Sequence, residues 1–227
     1  MAEIRFVEQS HEILGYWGDD PYRVEDTPVG FIAMVARTCY KSKPKDPRFD
    51  SPISDVRIDA QRDADETLVR SLIKRDHGAM LEHSFLSVRF VTDRAIANEL
   101  VRHRHFSFAQ QSSRYVNASK RGYEFVLPDG LTQDQETLVR AQCIDAAERY
   151  DCLMTLGAKP EIARAVLPLS LATTLVVSGN LREWRHAIKL RTAKDAHPQM
   201  RALMTPLLIE LRERIPIIFD DIEVADA

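Results

Sequence analysis

Apolar residues recur every three or four positions along much of the chain, which is the spacing of helices that bury one face. In the segment 64–78, for example, Leu68 and Leu72 fall on the same face, and Gly78 provides a stop. Prolines mark other boundaries, because their ring cannot continue a helix. The predicted helices span residues 29–40, 64–78, 93–104, 132–156, 161–168, 180–193 and 198–213.

Alternation of apolar and polar residues marks strands with one buried face. In the segment 84–91, Leu86, Val88 and Phe90 share one face and Arg89 lies on the other. The predicted strands span residues 4–9, 84–91, 123–128 and 169–179. Helices and strands do not alternate strictly. The pattern therefore predicts an α+β fold, with a mixed or antiparallel sheet covered by helices, in a single domain over residues 1–227.

The segment 41–63 lacks either pattern. It is polar and contains Pro44, Pro47 and Pro52. Prolines at this density do not suit a regular helix or a central strand. We therefore predict a long connection here, either a lid or a flexible loop.

Composition limits the classes of partner. The chain of 227 residues has 31 lysines and arginines against 34 aspartates and glutamates, a net charge of −3. A general binder of nucleic acid or of anionic membranes carries excess positive charge, so neither partner is predicted. Three cysteines without a CxxC pair, a charged N-terminal sequence and the lack of an apolar run of about 20 residues favour a cytoplasmic protein.

The sequence RHRHFSFAQQSSRY, residues 102–115, concentrates positive charge at the end of the predicted helix 93–104. The helix dipole explains one or two cations at a helix end, favouring each by about 0.3–1 kcal/mol. Four neighbouring basic and imidazole side chains exceed that, and their repulsion requires carboxylates, water or a bound anion. Arginines, hydroxyls and amides donate readily to phosphate or to a nucleobase edge, so an anion or nucleotide site competes with the dipole explanation.

Histidines near residue 80 raise the question of a metal. His77, Glu82 and His83 are close in sequence, but their spacing does not place two histidines on one helical face as in zinc proteases. We predict no metal site. The cysteines lie in apolar helical contexts, and the GxSxG, GxGxxG and P-loop motifs are absent, so neither a nucleophile nor a Rossmann or Walker site is predicted.

The segment 180–193 contains a cation at an unusual position. Asn180 and Glu183 have the spacing of an N-cap and the third helical residue. Trp184 and Ile188 lie on one apolar stripe, and Arg191 falls on its next step. Because a buried cation is costly unless it is paired, Arg191 either extends past the helix end to water or points into a pocket.

The segment 102–115 resembles the signature of the flavin-dependent thymidylate synthases, in which Arg-His-Arg is followed after seven residues by Ser. Arg102, His103, Arg104 and Ser112 satisfy that spacing. Further blocks similar to those of the family occur in the same order, namely VARTCYKS (35–42), HGAMLEHSF (77–85), ARAVLP (163–168) and NLREWRHAIKLRT (180–192).

The resemblance implies reductive methylation of dUMP to dTMP, with FAD as cofactor, NADPH as reductant and methylenetetrahydrofolate as one-carbon donor. The methylene group is expected to pass through the reduced flavin without an enzyme cysteine attacking the uracil, in agreement with the lack of a candidate nucleophile. A homotetramer whose active sites are shared between subunits is also implied.

Roles for individual residues follow from the same resemblance. Cofactor-binding roles fall on Ala79 (through its backbone), Arg102, His103, Arg104, Gln110, Asn180, Arg182 and His186. Substrate-binding roles fall on Glu99, Arg102, Gln110, Gln111, Ser112, Ser113, Arg114, Arg164 and Arg191. A neighbouring subunit is expected to donate the loop 110–114. Arg191 is the expected catalytic residue, because a cation there would polarise the uracil and favour its ionisation at N3.

Three positions depart from the family pattern. Gln110 stands where many members carry Glu, and Glu99 stands where a glutamine often assists dUMP. Asp195 stands where a flavin-stacking histidine is expected, with His197 two residues further on. The alternatives to the active enzyme are an inactive relative with the same fold and a nucleic-acid-binding module built on the arginine-rich segment.

Overall fold

The structure, a computed structural model, describes residues 2–16, 27–40 and 55–224. The strands in these ranges are β1 (Ile4–Phe6), β2 (Ser10–Tyr16), β3 (Phe85–Asp93), β4 (Ser107–Gln110), β5 (Tyr123–Phe125) and β6 (Ala172–Asn180). Strands β2, β3, β6 and β4 form a sheet in that order. Strand β1 pairs with β5 in parallel, with Ile4 opposite Tyr123.

Helices occur between and after these strands along the chain. They are α1 (Pro28–Tyr40), α2 (Asp55–Lys74), α3 (Arg94–Leu100), α4 (Ala118–Arg121), α5 (Gln133–Thr155), α6 (Pro160–Ala163), α7 (Leu181–Arg191), α8 (Pro198–Arg214) and α9 (Pro216–Phe219). Within the described ranges, 3-10 turns span Gly78–His83 and Arg164–Val166. The predicted α+β class is confirmed. Within the described ranges, every helix falls short of the length or the apolar character needed to cross a membrane.

Strand β3 illustrates why alternation predicts its position. Leu86, Val88 and Phe90 are fully buried, whereas Phe85 and Arg89 are exposed. Strand β6 alternates in the same way between buried and half-buried residues. Burying a large apolar side chain contributes about 1.5–3 kcal/mol, and a slip by one residue would expose the whole inward face. These inward faces therefore fix the register of both strands.

Contacts divide the chain into two compact units. The first unit comprises the described residues of 1–12, 89–177 and 197–203, and the second unit those of 13–88, 178–196 and 204–227. In the first unit, Tyr123 and Phe125 of β5 share a core with Cys143 and Tyr150 of α5. In the second unit, α1 packs on α2, and α9 packs on both α2 and α7. That residues 1–227 act as one catalytic domain stays a prediction.

The predicted loop 41–63 is wrong over residues 55–63, which form the first turns of α2. These turns are polar, so no apolar spacing indicates a helix there. Residues 41–54 lie outside the described residues. Helix α2 ends at Lys74, and Gly78 opens the following 3-10 turn rather than ending the helix directly.

Helix α3 is shorter than predicted, because it ends at Leu100 rather than at residue 104. The backbone N–H groups of Arg102 and His103 bond carbonyls three residues back, which tightens the chain out of the α-helix. The basic segment therefore follows the helix rather than forming its last turn. Strands β2 and β4 and helices α4 and α9 were not predicted, since none of them has a clear apolar period.

Candidate functional site

The basic segment after α3 directs its side chains both inward and outward. His103 is 6% exposed and packs on Phe106, with 5.9 Å between ring centroids. The flanking Arg102 and Arg104 are exposed. The buried imidazole thus anchors the segment, while the guanidinium groups on either side face solvent, where an anionic ligand can reach them.

Buried hydrogen bonds fix the helix that leads into this segment. The Asp93 carboxylate accepts from the Ile96 N–H at 2.7 Å and from the Gln199 side-chain amide at 2.9 Å. The Gln9 side chain in turn donates to the Gln199 carbonyl at 2.9 Å. Asp93 and Gln199 are each 3% exposed, so this network is shielded from water. It caps α3 and holds the start of the segment in place.

Strand β4 carries the predicted substrate loop. The Gln110 side chain donates to the Thr173 hydroxyl at 3.3 Å. Gln111 bonds Thr174 twice, donating from its backbone N–H at 2.9 Å and accepting at its side-chain oxygen at 3.4 Å. Because the Gln111 side-chain oxygen already accepts this hydrogen bond, the side chain can offer a ligand its NH₂ group as a donor.

The loop after β4 forms one wall of a cavity in the first unit, with a volume of about 130 Å³. We call this cavity the arginine pocket; its lining includes Arg94, Ser112, Ser113, Arg121 and Tyr150. Guanidinium, hydroxyl and phenol groups all donate hydrogen bonds. Glu124 also lines the pocket, but its carboxylate pairs with Arg5 at 2.5 Å. The lining is therefore rich in donors and suits an anionic group.

Two arginines lie close together at this pocket. Arg164 Nη1 donates to Ser113 Oγ at 3.1 Å, and Arg94 Nη2 donates to the Gln111 carbonyl at 3.3 Å. Burial, followed by the charge of Arg164, lowers the pKa of the half-buried Arg94 guanidinium. Arginine nevertheless stays protonated, so an anion would relieve this repulsion. Sequence reasoning missed Arg94, because only the fold brings this isolated arginine to residues 111 and 164.

A second cavity, of about 270 Å³, lies in the second unit between the 3-10 turn and α7. We call it the basic pocket; its lining includes Gly78, Leu81, Arg182, Arg185, His186 and Lys189. Arg182 pairs with Glu82 at 2.5 Å. A Cβ atom on Gly78 would lie 2.8 Å from Arg182 Nε, so the Arg182 side chain runs directly over that backbone. Ala79, a predicted flavin contact, follows in the same turn.

Helix α7 carries three further predicted site residues. Asn180 Oδ1 accepts from the Glu183 N–H at 2.9 Å, which confirms the predicted N-cap. Trp184 and Ile188 are buried, as the stripe predicted, and the Trp184 indole donates to the Leu86 carbonyl at 2.9 Å. Arg191, the last residue of the helix, is half-buried. Its helix is thus rigidly anchored, which fixes the position of the arginine backbone.

The predicted site residues fall into two groups. The first unit contains Glu99, Arg102, His103, Arg104, Gln110, Gln111, Ser112, Ser113, Arg114 and Arg164. The second unit contains Ala79, Asn180, Arg182, His186 and Arg191. Of these, the arginine pocket gathers Gln111, Ser112 and Ser113, and the basic pocket gathers Arg182 and His186. Asn180 and Arg191 do not line the basic pocket.

The remaining predicted positions are exposed or half-buried. Arg114 is exposed, and its guanidinium lies 5.5 Å from the centre of the Tyr115 ring. Glu99 is half-buried on α3. Asp195 and His197 are both exposed, and His197 immediately precedes α8. Among the described residues, no group of three or more His, Cys, Asp or Glu side chains is arranged to hold a metal ion.

Comparison with known proteins identifies a family. Residues 24–217 match the family model described as thymidylate synthase complementing protein. The chain is 32% identical to the flavin-dependent thymidylate synthase of Corynebacterium aurimucosum over 212 residues, which cover 85% of this chain and 79% of that protein. It is 36% identical to the enzyme of the same name from Mycobacterium marinum over 174 residues, 69% of each chain.

A solved structure shares the fold. The crystal structure of a UMP/dUMP methylase from Streptomyces cacaoi, bound with 5-Br dUMP, superposes with a TM-score of 0.73 over 96% of each chain at 21% sequence identity. The family model spans most of the chain, and several relatives exceed 30% identity over most of its length. On this evidence, the chain belongs to the enzyme family of flavin-dependent thymidylate synthases.

Proposed function

We propose that this enzyme methylates dUMP to dTMP, with methylenetetrahydrofolate as one-carbon donor, NADPH as reductant and FAD as cofactor. Converting the transferred methylene group into a methyl group requires two electrons. NADPH supplies both, so the folate leaves as tetrahydrofolate. The family membership and the dUMP analogue bound by the S. cacaoi methylase support this choice of substrate.

The arginine pocket is the observation that carries the proposal. Arg94 and Arg164 approach each other beside two serine hydroxyls, and among the described residues neither guanidinium forms an ion pair with a carboxylate. The phosphate of a nucleoside monophosphate supplies the missing negative charge and accepts from guanidinium and hydroxyl donors alike. Gln111, Ser112 and Ser113 would complete the cradle from the loop after β4.

The basic pocket fits the pyrophosphate of a flavin dinucleotide in its chemistry. Arg182, His186 and Lys189 supply donors and positive charge suited to a pyrophosphate. Because Gly78 has no side chain, the Arg182 side chain can lie directly against the backbone there. Residues Ala79, Asn180, Arg182 and His186 would hold the cofactor, together with Arg102, His103 and Arg104. When bound, the flavin supplies the redox chemistry of the reaction.

Arg191 is the residue to which we assign the activation of the uracil. Its guanidinium would stand opposite the uracil edge, where negative charge develops on ionisation at N3. A fixed cation in a half-buried position stabilises such charge more strongly than water does. Gln110 cannot exchange protons as a Glu would, so it contributes hydrogen bonds alone.

The proposal is tested on the purified protein by its absorption spectrum and by its product. We expect bound or readily reconstituted flavin, NADPH oxidation that accelerates with dUMP, and dTMP once methylenetetrahydrofolate is added. Flavin binding without any dTMP would indicate the inactive relative instead. A colourless protein with no affinity for FAD, which binds oligonucleotides in a salt-dependent manner, would contradict the proposal and favour the nucleic-acid-binding alternative.

Replacing Arg191 with lysine tests its assigned role. Lysine keeps the charge but lacks the planar fork, so we expect kcat to fall by about 10-fold or more with little change in unfolding temperature. Arg149→Lys on α5 is the control, since Arg149 is exposed and pairs with Asp145 at 2.8 Å. An unchanged kcat in Arg191→Lys would remove Arg191 from the mechanism.

A further inference from the structure

The arginine pocket contains a buried group that none of the roles above uses. Tyr150 of α5 lines the pocket and is 1% exposed. Its hydroxyl oxygen is buried, and no group among the described residues accepts its proton. The hydrogen bond with the Ala118 backbone lowers the pKa, so it stabilises the ionised oxygen and leaves the proton without an acceptor. A buried hydroxyl donor without an acceptor is destabilising, so natural proteins rarely keep one unless something else satisfies it.

A second donor at the same pocket shares this property. Arg94 Nε is buried and likewise has no hydrogen-bond partner among the described residues. Two unsatisfied donors, one cationic and one neutral, thus belong to residues that line one cavity. Both need an acceptor, which is the complement that a phosphate offers.

The neighbouring tyrosine is satisfied within the protein. Tyr123 packs edge-on against Tyr150 with 5.8 Å between ring centroids, and its hydroxyl donates to Asp151 Oδ1 at 2.6 Å. Among the described residues, one buried phenol of this pair therefore has an acceptor and the other has none. Tyr123 does not line the arginine pocket.

The Tyr150 phenol is suited to remain a donor. Burial raises its pKa, and the backbone of Ala118 offsets this only in part, so the proton stays on the oxygen at neutral pH. The contact with Tyr123 fixes the ring, and a fixed donor loses little entropy when it binds a ligand.

We infer that Tyr150 is a specificity-determining residue whose hydroxyl donates to the 5′-phosphate of the nucleotide in the arginine pocket. This inference rests on the proposed function for the identity of the nucleotide. The cavity, of about 130 Å³, is small beside the ~300–1,000 Å³ of pockets that enclose whole ligands. It therefore suits the phosphate group rather than the entire nucleotide.

The test compares Tyr150→Phe with Tyr123→Phe, which remove the same oxygen atom from adjacent rings. Dissociation constants for dUMP, deoxyuridine and inorganic phosphate are measured by calorimetry on the flavin-loaded protein, alongside unfolding temperatures. Tyr150→Phe should weaken dUMP and phosphate binding by about 10-fold to 100-fold and leave deoxyuridine binding unchanged. Its unliganded unfolding temperature should not fall, because the lost hydroxyl proton had no acceptor.

Tyr123→Phe should behave in the opposite way. Its unfolding temperature should fall, because Asp151 loses a buried donor, while its affinity for dUMP stays that of the wild type. Wild-type affinity of Tyr150→Phe for dUMP would overturn the inference. Equal losses of dUMP and deoxyuridine binding would also overturn it, since a merely structural role predicts that result.

The inference and the proposed function fail in distinguishable ways. A wild-type protein that forms dTMP, combined with a Tyr150→Phe variant of normal dUMP affinity, refutes the role of Tyr150 alone. A wild-type protein that forms no dTMP but binds phosphate 10-fold or more tightly than Tyr150→Phe refutes the proposed function and supports the phosphate contact.

Discussion

At the scale of single residues, the lack of a side chain at Gly78 allows Arg182 to lie against the backbone. The Arg182 side chain passes so close to Gly78 that a Cβ there would lie 2.8 Å from Nε and 3.1 Å from Cδ. Both distances are shorter than ordinary van der Waals contact. The ion pair of Arg182 with Glu82, a residue of the same 3-10 turn, holds the guanidinium in this position.

Gly78→Ala should therefore displace Arg182 without unfolding the protein, because the far end of an arginine side chain moves easily. We expect FAD affinity to fall by up to about 10-fold, as one charged donor leaves its place, with a stability change within about 0.5 kcal/mol. Fluorescence titration with FAD measures the affinity. The control is Gly15→Ala, since a Cβ at Gly15 has no neighbour within 4 Å. Equal FAD affinities for both variants would separate Arg182 from flavin binding.

At the scale of elements, what the sequence reveals depends on whether an element has an apolar period. Strand β3 buries every second residue over most of its length, and helix α7 buries one apolar stripe. Both elements were predicted. The polar start of α2 and the short strand β4 have no such period, and both were missed. The motif Arg102–Arg104 was found through its spacing. Arg94 has no sequence context, and its proximity to Arg164 arises only from folding.

Helix α7 is also tied to the C-terminal segment by an ion pair. Arg185 donates to both Asp221 oxygens, at 2.6 and 2.7 Å, and to the Ile218 carbonyl. The hydrogen bond from Arg185 is the main cause that lowers the pKa of the Asp221 carboxyl. A carboxylate whose folded pKa is lowered stabilises the fold above its unfolded pKa and loses this contribution as pH falls through the folded value.

Asp221→Asn should lower the free energy of unfolding by about 1 kcal/mol at pH 7, a modest value because the Asp221 side chain is 48% exposed. The difference from wild type should shrink as pH falls below ~3.9, the usual value for aspartate. Urea unfolding at several pH values measures it. Asp220→Asn is the control and should cost less, since the Asp220 side chain accepts from the exposed Arg70 at the longer distance of 3.2 Å. A pH-independent difference would contradict the assignment to ionised Asp221.

At the scale of the whole molecule, the predicted substrate loop and the predicted catalytic arginine belong to different units. Arg114 lies in the first unit and Arg191 in the second. If the active sites are shared between subunits, each site combines the loop 110–114 of one copy with Arg191 of another. A protein made only of copies that lack the Arg114 side chain would then contain no complete site. The same holds for a protein made only of copies that lack the Arg191 side chain.

Mixing Arg114→Ala with Arg191→Ala tests this arrangement. When the two kinds of subunit assemble at random, about a quarter of the shared sites combine an intact loop from one copy with an intact Arg191 from another. Each variant alone should be nearly inactive, and the unfolded and refolded mixture should regain about a quarter of the wild-type rate of dTMP formation. Mixing Arg191→Ala with Arg191→Lys is the control, since no combination of these copies restores Arg191. If every site were built from a single copy, the first mixture would stay as inactive as its parents, because each chain would carry its own defect into its own site.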